Sequence, residues 1–264
     1  MKPSFWNREV AATFRDPGVA ASYRHRPPYP PETMTILERL LGGKRGAVLD
    51  LGCGTGLVAR SLAQVVDRVD ALDISAAMIA AGKGLPGGSD PRITWITGPA
   101  EDALLRPPYD LITAGDSLHW MDWEIVLPRL AGVLSPAGYL AVLSVGGYLD
   151  PADEGARQGL VNLIKRYSTF TEWRPGFDLI GELERRELFH VQGRAETAPV
   201  PFRQPIADYV ESFHARASLS WQRMTPADAA AFDRELTNLL RERSGEAVEL
   251  SIRATVVWGK PIGR

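Results

Sequence analysis

Three glycines at alternate positions, Gly52, Gly54 and Gly56, follow Asp50 at the end of an apolar run. Because glycine has no Cβ atom, such a loop can turn sharply and approach a ligand closely. The spacing matches neither the Gly-x-Gly-x-x-Gly of dinucleotide sites nor the Gly-Lys-Ser/Thr ending of a phosphate loop. An acidic residue at the start of the loop suits a ligand with a cationic group nearby. The pattern predicts a ligand-binding loop between a buried strand and a helix, and an ordinary strand–helix turn is the alternative.

A second acidic residue, Asp73, lies about one helix and one strand further along the chain. In doubly wound nucleotide-binding sheets, an acidic side chain at this separation from the glycines binds the ribose hydroxyls. The alternative is that Asp73 caps the helix beginning near Ser75, but Ser75 can cap that helix itself. We therefore predict that Asp73 binds a ribose.

Further candidates follow a later apolar segment, 109–114. Gly115 and Asp116 come directly after it, at the edge where the crevice of an open sheet binds ligands. His119 lies just beyond and is the candidate general base, since a histidine of ordinary pKa suits proton transfer at neutral pH. The alternative is that His119 packs against Trp120 as part of a pocket wall. The carboxylates of this region are too few to predict a metal site.

A parallel sheet is needed to bring these residues together. Alternating strand and helix patterns indicate an α/β fold with a doubly wound, mostly parallel sheet and helices on both faces. Strands are predicted at 47–51, 69–73, 93–97, 109–114, 139–144, 189–191 and 248–258, and helices outside the alternating core at 32–41, 151–165, 178–188, 206–217 and 226–243.

Two core motifs resemble those of a known family. Residues 48–56, Val-Leu-Asp-Leu-Gly-Cys-Gly-Thr-Gly, are similar to the first motif of the class I S-adenosylmethionine-dependent methyltransferases, and 71–79 to their second. Segments 97–102, 109–114 and 134–142 resemble the adenine-lining segment and the fourth and fifth strands of that family.

Segments outside the core resemble one branch of the family, the trans-aconitate methyltransferase-like, small-molecule branch. These segments are 23–30, 117–122 and 218–223, although Trp221 replaces a small or tyrosine-like residue of that branch. The core motifs are specific for the cofactor, whereas the branch motifs say little about the methyl acceptor.

The resemblance implies a seven-stranded Rossmann-like methyltransferase sheet that ends in an antiparallel pair, with the last strand antiparallel to the rest. It also implies an N-terminal helical cap at 1–45, a cofactor-binding core at 46–146, a small helical lid at 147–186 and a C-terminal part, 187–264, that completes the sheet.

The cofactor implied by the resemblance is S-adenosyl-L-methionine. The glycine loop would hold its amino-acid portion, with Asp50 acting on the ammonium through the loop or a water. Tyr23 and Arg26 are candidates for its carboxylate, unless they belong only to a surface loop held by prolines. The predicted cofactor-binding residues are Tyr23, Arg26, Asp50, Gly52, Gly54, Gly56, Asp73, Ile74, Ala100, Glu101, Gly115 and Asp116.

Aromatic residues concentrate in the segments expected around the methyl acceptor. Aromatic side chains in a cleft bind apolar groups and shield a sulfonium, but each could instead belong to the core. His214 and Arg216 could orient a polar acceptor unless their helix faces solvent. The candidates for the substrate pocket are Trp120, Tyr148, Trp173, Phe213 and Trp221.

The composition favours a soluble, cytoplasmic protein that acts on a small molecule. The chain of 264 residues has 30 basic and 32 acidic residues and a net charge of −2. It has no long basic run, which argues against a nucleic-acid partner. The single cysteine, Cys53, excludes an intrachain disulfide and suits a reducing compartment. No apolar run approaches the length of a membrane span, so we expect no membrane partner, and a monomer or homodimer.

The sequence thus predicts an enzyme that transfers a methyl group from S-adenosylmethionine to oxygen, nitrogen or a carboxylate of a small molecule. In-line displacement would depend on proximity and orientation. The alternatives are an RNA or protein methyltransferase and a non-catalytic S-adenosylmethionine-binding module.

Overall fold

The computed structural model describes residues 2–150, 153–170 and 176–263. Within these residues the strands form one eight-stranded sheet. They are β1 Ala47–Leu51, β2 Arg68–Asp73, β3 Ile93–Thr97, β4 Tyr109–Gly115, β5 Leu134–Leu149, β6 Phe189–Glu196, β7 Val200–Pro205 and β8 Ala247–Pro261. The α-helices are α1 Arg8–Ala11, α2 Pro17–Tyr23, α3 Pro31–Leu40, α4 Leu57–Leu62, α5 Ala76–Lys83, α6 Trp123–Val133, α7 Glu154–Tyr167, α8 Leu179–Arg185, α9 Ile206–Glu211 and α10 Pro226–Ser244.

The strand order is β3-β2-β1-β4-β5-β8-β6, with β7 paired to β8. Strands β1 to β5 are parallel, and β8 is antiparallel to both β5 and β6. The predicted α/β fold is confirmed, including the antiparallel last strand. The sheet has one strand more than the seven expected, because the prolines at 201 and 205 hide β7 in the sequence. Proline is tolerated there since β7 pairs only with β8.

Apolar clusters cover both faces of the sheet. On one face, Leu49 of β1 packs in a cluster with α6 and with Leu183 of α8. On the other, Val48 packs in a cluster with α3 and α4. Every residue of β1 is buried, as expected for a parallel strand covered on both faces.

The order of the strands decides where a ligand can bind. β1 lies between β2 and β4, so the chain connections diverge on the two sides of β1. In open α/β sheets this switch opens a crevice at the carboxyl ends of the strands. The glycine loop after β1 and Asp116 after β4 both lie at this edge.

A third apolar cluster forms against the ends of β5 and β8, with Leu149, Val248 and Leu250 among its members. It joins α7, α9, α10 and the 3-10 turn Ser212–Ala215, which we call the helical lobe, and it includes Phe213, Phe232 and Leu236. The helix expected over 206–217 is α-helical only to Glu211 and continues as the 3-10 turn to Ala215. In the segment expected as a lid, 147–186, α7 belongs to the helical lobe, whereas α8 packs against the sheet.

The N-terminal segment, residues 2–30, lies over the carboxyl edge of the sheet. Asp16 caps α2 by accepting from the Gly18 N–H at 2.7 Å, with Pro17 in the first turn. Helix α2 contacts both α5 and the 3-10 turn of the helical lobe. None of the helices in the described residues combines the length and apolar composition needed to cross a bilayer.

Candidate functional site

A cavity of about 730 Å³ lies at the carboxyl ends of β1, β2 and β4, and we call it the central cavity. Most of the predicted cofactor-binding residues line it. These are Tyr23, Gly52, Gly54, Asp73, Ile74, Ala100, Glu101, Gly115 and Asp116, and the predicted pocket residue Trp120 lines it as well.

The glycine loop needs glycine at the predicted positions. Gly52, Gly54 and Gly56 have φ of 62°, 55° and 75°, in the left-handed region that favours glycine. A Cβ atom at Gly52 would collide with the side chain of Ser117, and one at Gly56 with Trp95. Gly52 and Gly54 line the central cavity, whereas Gly56 begins α4 beside Trp95.

Asp50 lies beneath this loop and is 2 % exposed. Its carboxylate accepts from the Ala59 N–H at 3.1 Å and from the Thr113 hydroxyl at 2.7 Å. Burial raises its pKa to about 6. Since the N-cap residue of α4, Gly56, has no side chain to accept from the helix, Asp50 supplies that acceptor. In this structure Asp50 therefore acts on the glycine loop through α4.

Asp73 holds the other side of the loop. One carboxylate oxygen accepts from the Gly54 N–H and the other from the Ser75 N–H, each at 2.7 Å. Burial raises its pKa. Each oxygen keeps a further lone pair at the cavity wall, so the ribose role stays a prediction. Ser75 caps α5 by accepting from the Met78 N–H, as expected.

Asp116 directly follows β4 and has a φ of 48°, a left-handed conformation that is uncommon outside glycine and often marks functional sites. Its carboxylate accepts from the Val145 N–H at 3.3 Å and lies 3.9 Å from the Arg26 guanidinium. Burial raises its pKa, while Arg26 acts in the opposite direction. Arg26 lines an adjoining cavity of about 1110 Å³ that also contains Asp50 and Asp116.

Arg216 directly follows the 3-10 turn Ser212–Ala215 and is exposed to solvent. Its guanidinium lies 4.2 Å from the centre of the Phe213 ring. Desolvation, and then the positive charge of Arg26, lower its pKa to about 10. Among the described residues, no ion pair includes Arg216.

His119 packs between two tryptophans. Its ring centre is 4.7 Å from that of Trp6 and 4.7 Å from that of Trp120. Desolvation, together with the charges of Lys2 and Arg26, lowers its pKa to about 3. At neutral pH the ring is neutral, and a group of this pKa is a weak proton acceptor.

The other predicted pocket residues are scattered. Tyr148 is 59 % exposed and lies in a separate surface cavity with α7. Phe213 is fully buried in the helical lobe, where it contacts Tyr209 and Phe232, so it packs the lobe rather than facing a ligand. Trp221 stacks on His214 with ring centres 3.8 Å apart. Trp173 lies outside the described residues.

Several residues of the central cavity were missed from the sequence. The N-terminal segment contributes Arg8, Ala11 and Phe14, and Phe14 meets Trp120 edge to face at 5.4 Å. The Asp16-Pro17 helix start was the one local signal that this segment is ordered. Among the described residues, no group of three or more His, Cys, Asp or Glu side chains is arranged to hold a metal ion.

Comparison with known sequences finds similarity in the same region. Residues 48–138 match a family described as a methyltransferase domain. The trans-aconitate 2-methyltransferase of Mycobacterium tuberculosis is 30% identical over 155 residues, covering 58% of this chain and 53% of that protein. A probable S-adenosylmethionine-dependent methyltransferase of Saccharomyces cerevisiae is 27% identical over 120 residues, 44% of this chain and 41% of that protein. The chain thus spans about half the length of the curated relatives it matches.

Solved structures share the fold. A putative type II methyltransferase from Anaeromyxobacter dehalogenans has a TM-score of 0.65 at 22% identity, covering 90% of this chain and 99% of that one. The [4+2]-cyclase SpnF has a TM-score of 0.52 at 19% identity, covering 88% and 82%. At these identities the likeness concerns the fold alone, and fold does not determine the reaction.

Proposed function

We propose that this chain, which carries a class I S-adenosylmethionine-dependent methyltransferase domain, methylates a small molecule that bears a negative charge. The observation that carries the proposal is the positive charge around Asp116. The Arg26 guanidinium lies 3.9 Å from its carboxylate, and the exposed Arg216, whose charge also acts on Asp116, forms no ion pair within the described part of the chain.

The central cavity suits the cofactor of this class. Gly52 and Gly54 allow close backbone approach, and Asp73 offers acceptors for ribose hydroxyls. Ala100 and Glu101 would border the adenine. When bound, S-adenosylmethionine supplies an electrophilic methyl group and a good leaving group.

The charges next to this cavity favour an anionic acceptor. Arg26 lies 3.9 Å from Asp116 and is the candidate for the carboxylate of the cofactor, so Arg216 is the cation that remains for the acceptor. Arg216 is exposed and has no carboxylate partner among the described residues, so its guanidinium is free to pair with an acidic ligand. An acidic acceptor would supply that partner. The name of the mycobacterial relative gives trans-aconitate, a carboxylate, as acceptor, which supports the same class.

An anionic acceptor also agrees with the state of His119. A carboxylate has already lost its proton, so its oxygen can accept a methyl group without a general base. The protein then has to hold the acceptor in line and exclude water. The low pKa of His119 is no obstacle to such a reaction.

The test combines calorimetry with a labelled-methyl screen over neutral, cationic and acidic metabolites. We expect S-adenosylmethionine to bind and an acid to be methylated. In Arg216→Gln, kcat/KM for that acid should fall about 10- to 100-fold, because a charge-assisted hydrogen bond is lost. The affinity for S-adenosylhomocysteine should stay within about twofold. Arg223→Gln, on the exposed surface of the helical lobe, is the matched control and should match the wild type.

Each contrary outcome has a distinct meaning. Absence of cofactor binding would overturn the whole proposal, and binding without transfer to any acceptor would favour a non-catalytic module. Transfer to RNA that weakens steeply with salt, or to a protein, would exclude the small-molecule acceptor. Methylation of a neutral compound, unaffected by Arg216→Gln, would exclude the anionic one.

A further inference from the structure

A second cavity, of about 910 Å³, opens between the start of α8 and the strands β5, β8 and β6. We call it the apolar cleft. Val142 of β5 and Val257 of β8 are register partners and form its floor. The opposite wall comes from α8, the N-terminal segment and the turn after β4, and includes Trp6, Leu118, Leu179 and Ile180.

The apolar cleft adjoins the central cavity. Asp116 and Ser117 line both, and Asp116 also lines the cavity of Arg26. A molecule with one end beside Asp116 can therefore extend into the cleft while that end stays next to the cofactor.

Among the described residues, the inner part of the cleft provides no cation. Trp6 meets Phe177 edge to face at 4.9 Å and stacks obliquely on His119 at 4.7 Å. His119 is uncharged at neutral pH. Beyond Asp116, the charged residues of the cleft are Asp178, which caps α8 by accepting from the Gly181 N–H, and Arg194, an exposed residue of β6.

This distribution discriminates between two kinds of acid. A compact polycarboxylate would place a second carboxylate against Val142 and Val257, where a buried charge without a partner is costly. An acid with a hydrocarbon body would instead remove apolar surface from water along the cleft, which is favourable.

We propose that the methyl acceptor is an amphipathic acid, with its apolar body in the apolar cleft and its carboxylate at the Asp116 end of the cleft, where the charge of Arg216 attracts it. This inference rests on the proposed function, since it identifies the class of acceptor for the same site.

The test measures methyl transfer from S-adenosylmethionine to straight-chain acids from acetate to decanoate, with trans-aconitate as the compact polycarboxylate. Product is quantified by mass spectrometry. We expect kcat/KM to rise about fourfold for each methylene that enters the cleft and then to level off. Trans-aconitate should be a poorer acceptor than octanoate.

A substitution in the cleft tests the location. Thr255 lines the cleft on β8 and is only partly buried, and tryptophan is well tolerated in strands. In Thr255→Trp, kcat/KM should level off at a shorter chain, with decanoate reduced at least about tenfold, the equivalent of two or more excluded methylenes. Ser251→Trp, on the same strand but in the separate surface cavity with α7, is the control and should keep the wild-type chain-length profile.

The outcomes separate this inference from the proposed function. Methylation of acids with no dependence on chain length, or with trans-aconitate preferred, would overturn the amphipathic acceptor and leave the methyltransferase proposal standing. A chain-length profile shifted equally by both substitutions would place the apolar body elsewhere. Failure to bind S-adenosylmethionine would overturn the proposed function itself.

Discussion

His119 shows how its surroundings decide the chemistry of a residue. By type and position it is the candidate general base, because it follows β4 directly beside the central cavity. The packing of Trp6 and Trp120 around it, with Lys2 and Arg26 nearby, lowers its pKa to about 3. The sequence specifies the residue type, but one of the two tryptophans that bury it, Trp6, comes from a distant part of the chain.

We predict that His119→Gln keeps its turnover to within about threefold, whereas loss of a true general base costs about 10²- to 10⁴-fold. Because the folded-state pKa is about 3, the imidazole stays neutral across the neutral pH range. The pH profile of kcat for a carboxylate acceptor should therefore show no inflection near the ordinary histidine pKa of about 6.5. A large loss of kcat in His119→Gln, with unchanged affinity for S-adenosylhomocysteine, would contradict this prediction.

At the scale of elements, α4 depends on a residue outside it. The helix begins after Gly56, and the φ of 75° at this glycine allows the turn. Gly56 has no side chain that could cap the helix. Asp50, at the end of β1, accepts from the Ala59 N–H and from the Thr113 hydroxyl. The glycine loop is thereby fixed between two elements of the core. This arrangement explains an acidic residue before the glycines without any direct ligand contact.

We predict that Asp50→Ala lowers the free energy of unfolding by about 2–4 kcal/mol, because two buried donors lose their acceptor. Asp50→Asn keeps an acceptor oxygen and removes a charge that burial disfavours, so it should cost less than about 1.5 kcal/mol. Urea titration at neutral pH measures both. If the two variants were equally stable, the capping role of Asp50 would be wrong.

Local sequence patterns were enough to predict the strands of the core and about half of the residues that line the central cavity. Buried apolar runs predicted β1 to β4 almost to the residue, and the glycine spacing placed the loop. Two features needed contacts that sequence patterns do not show. β7 exists because β8 offers it a free edge, and α9 changes after Glu211 into the 3-10 turn that buries Phe213 in the helical lobe.

At the scale of the whole molecule, three parts of the chain meet around Asp116. The sheet contributes Asp116 itself, the N-terminal segment contributes Arg26 and the helical lobe contributes Arg216. The Ser22 hydroxyl of α2 donates to Glu211 of α9 and links the last two parts directly. These contacts join residues far apart in sequence, which is why Arg216 could be only a conditional candidate before the structure.

His214 holds the helical lobe together behind this site. Its Nδ1 lies 2.7 Å from the Leu219 carbonyl and its Nε2 lies 2.9 Å from the Asp233 carboxylate. Both atoms face acceptors, so both contacts are hydrogen bonds only when the imidazole carries two protons. Burial acts to lower the pKa of His214, but these two bonds outweigh it and raise the pKa above its ordinary value.

The direction of this change predicts how stability depends on pH. The contribution of His214 is fully present below its unfolded-state pKa of about 6.5 and is lost as pH rises through the higher folded-state pKa. The loss amounts to about 1.4 kcal/mol for every tenfold difference in proton affinity between the folded and unfolded states. Urea titrations from slightly acidic to alkaline pH should show this decline, and Asp233→Asn, which removes the charge but keeps an acceptor, should flatten it. The pKa of His119 is lowered rather than raised, so its contribution to stability changes with pH in the opposite direction. That contribution is the same in the wild type and in Asp233→Asn, and it cancels when the two are compared. An equally steep decline in Asp233→Asn would exclude the ion pair as its source.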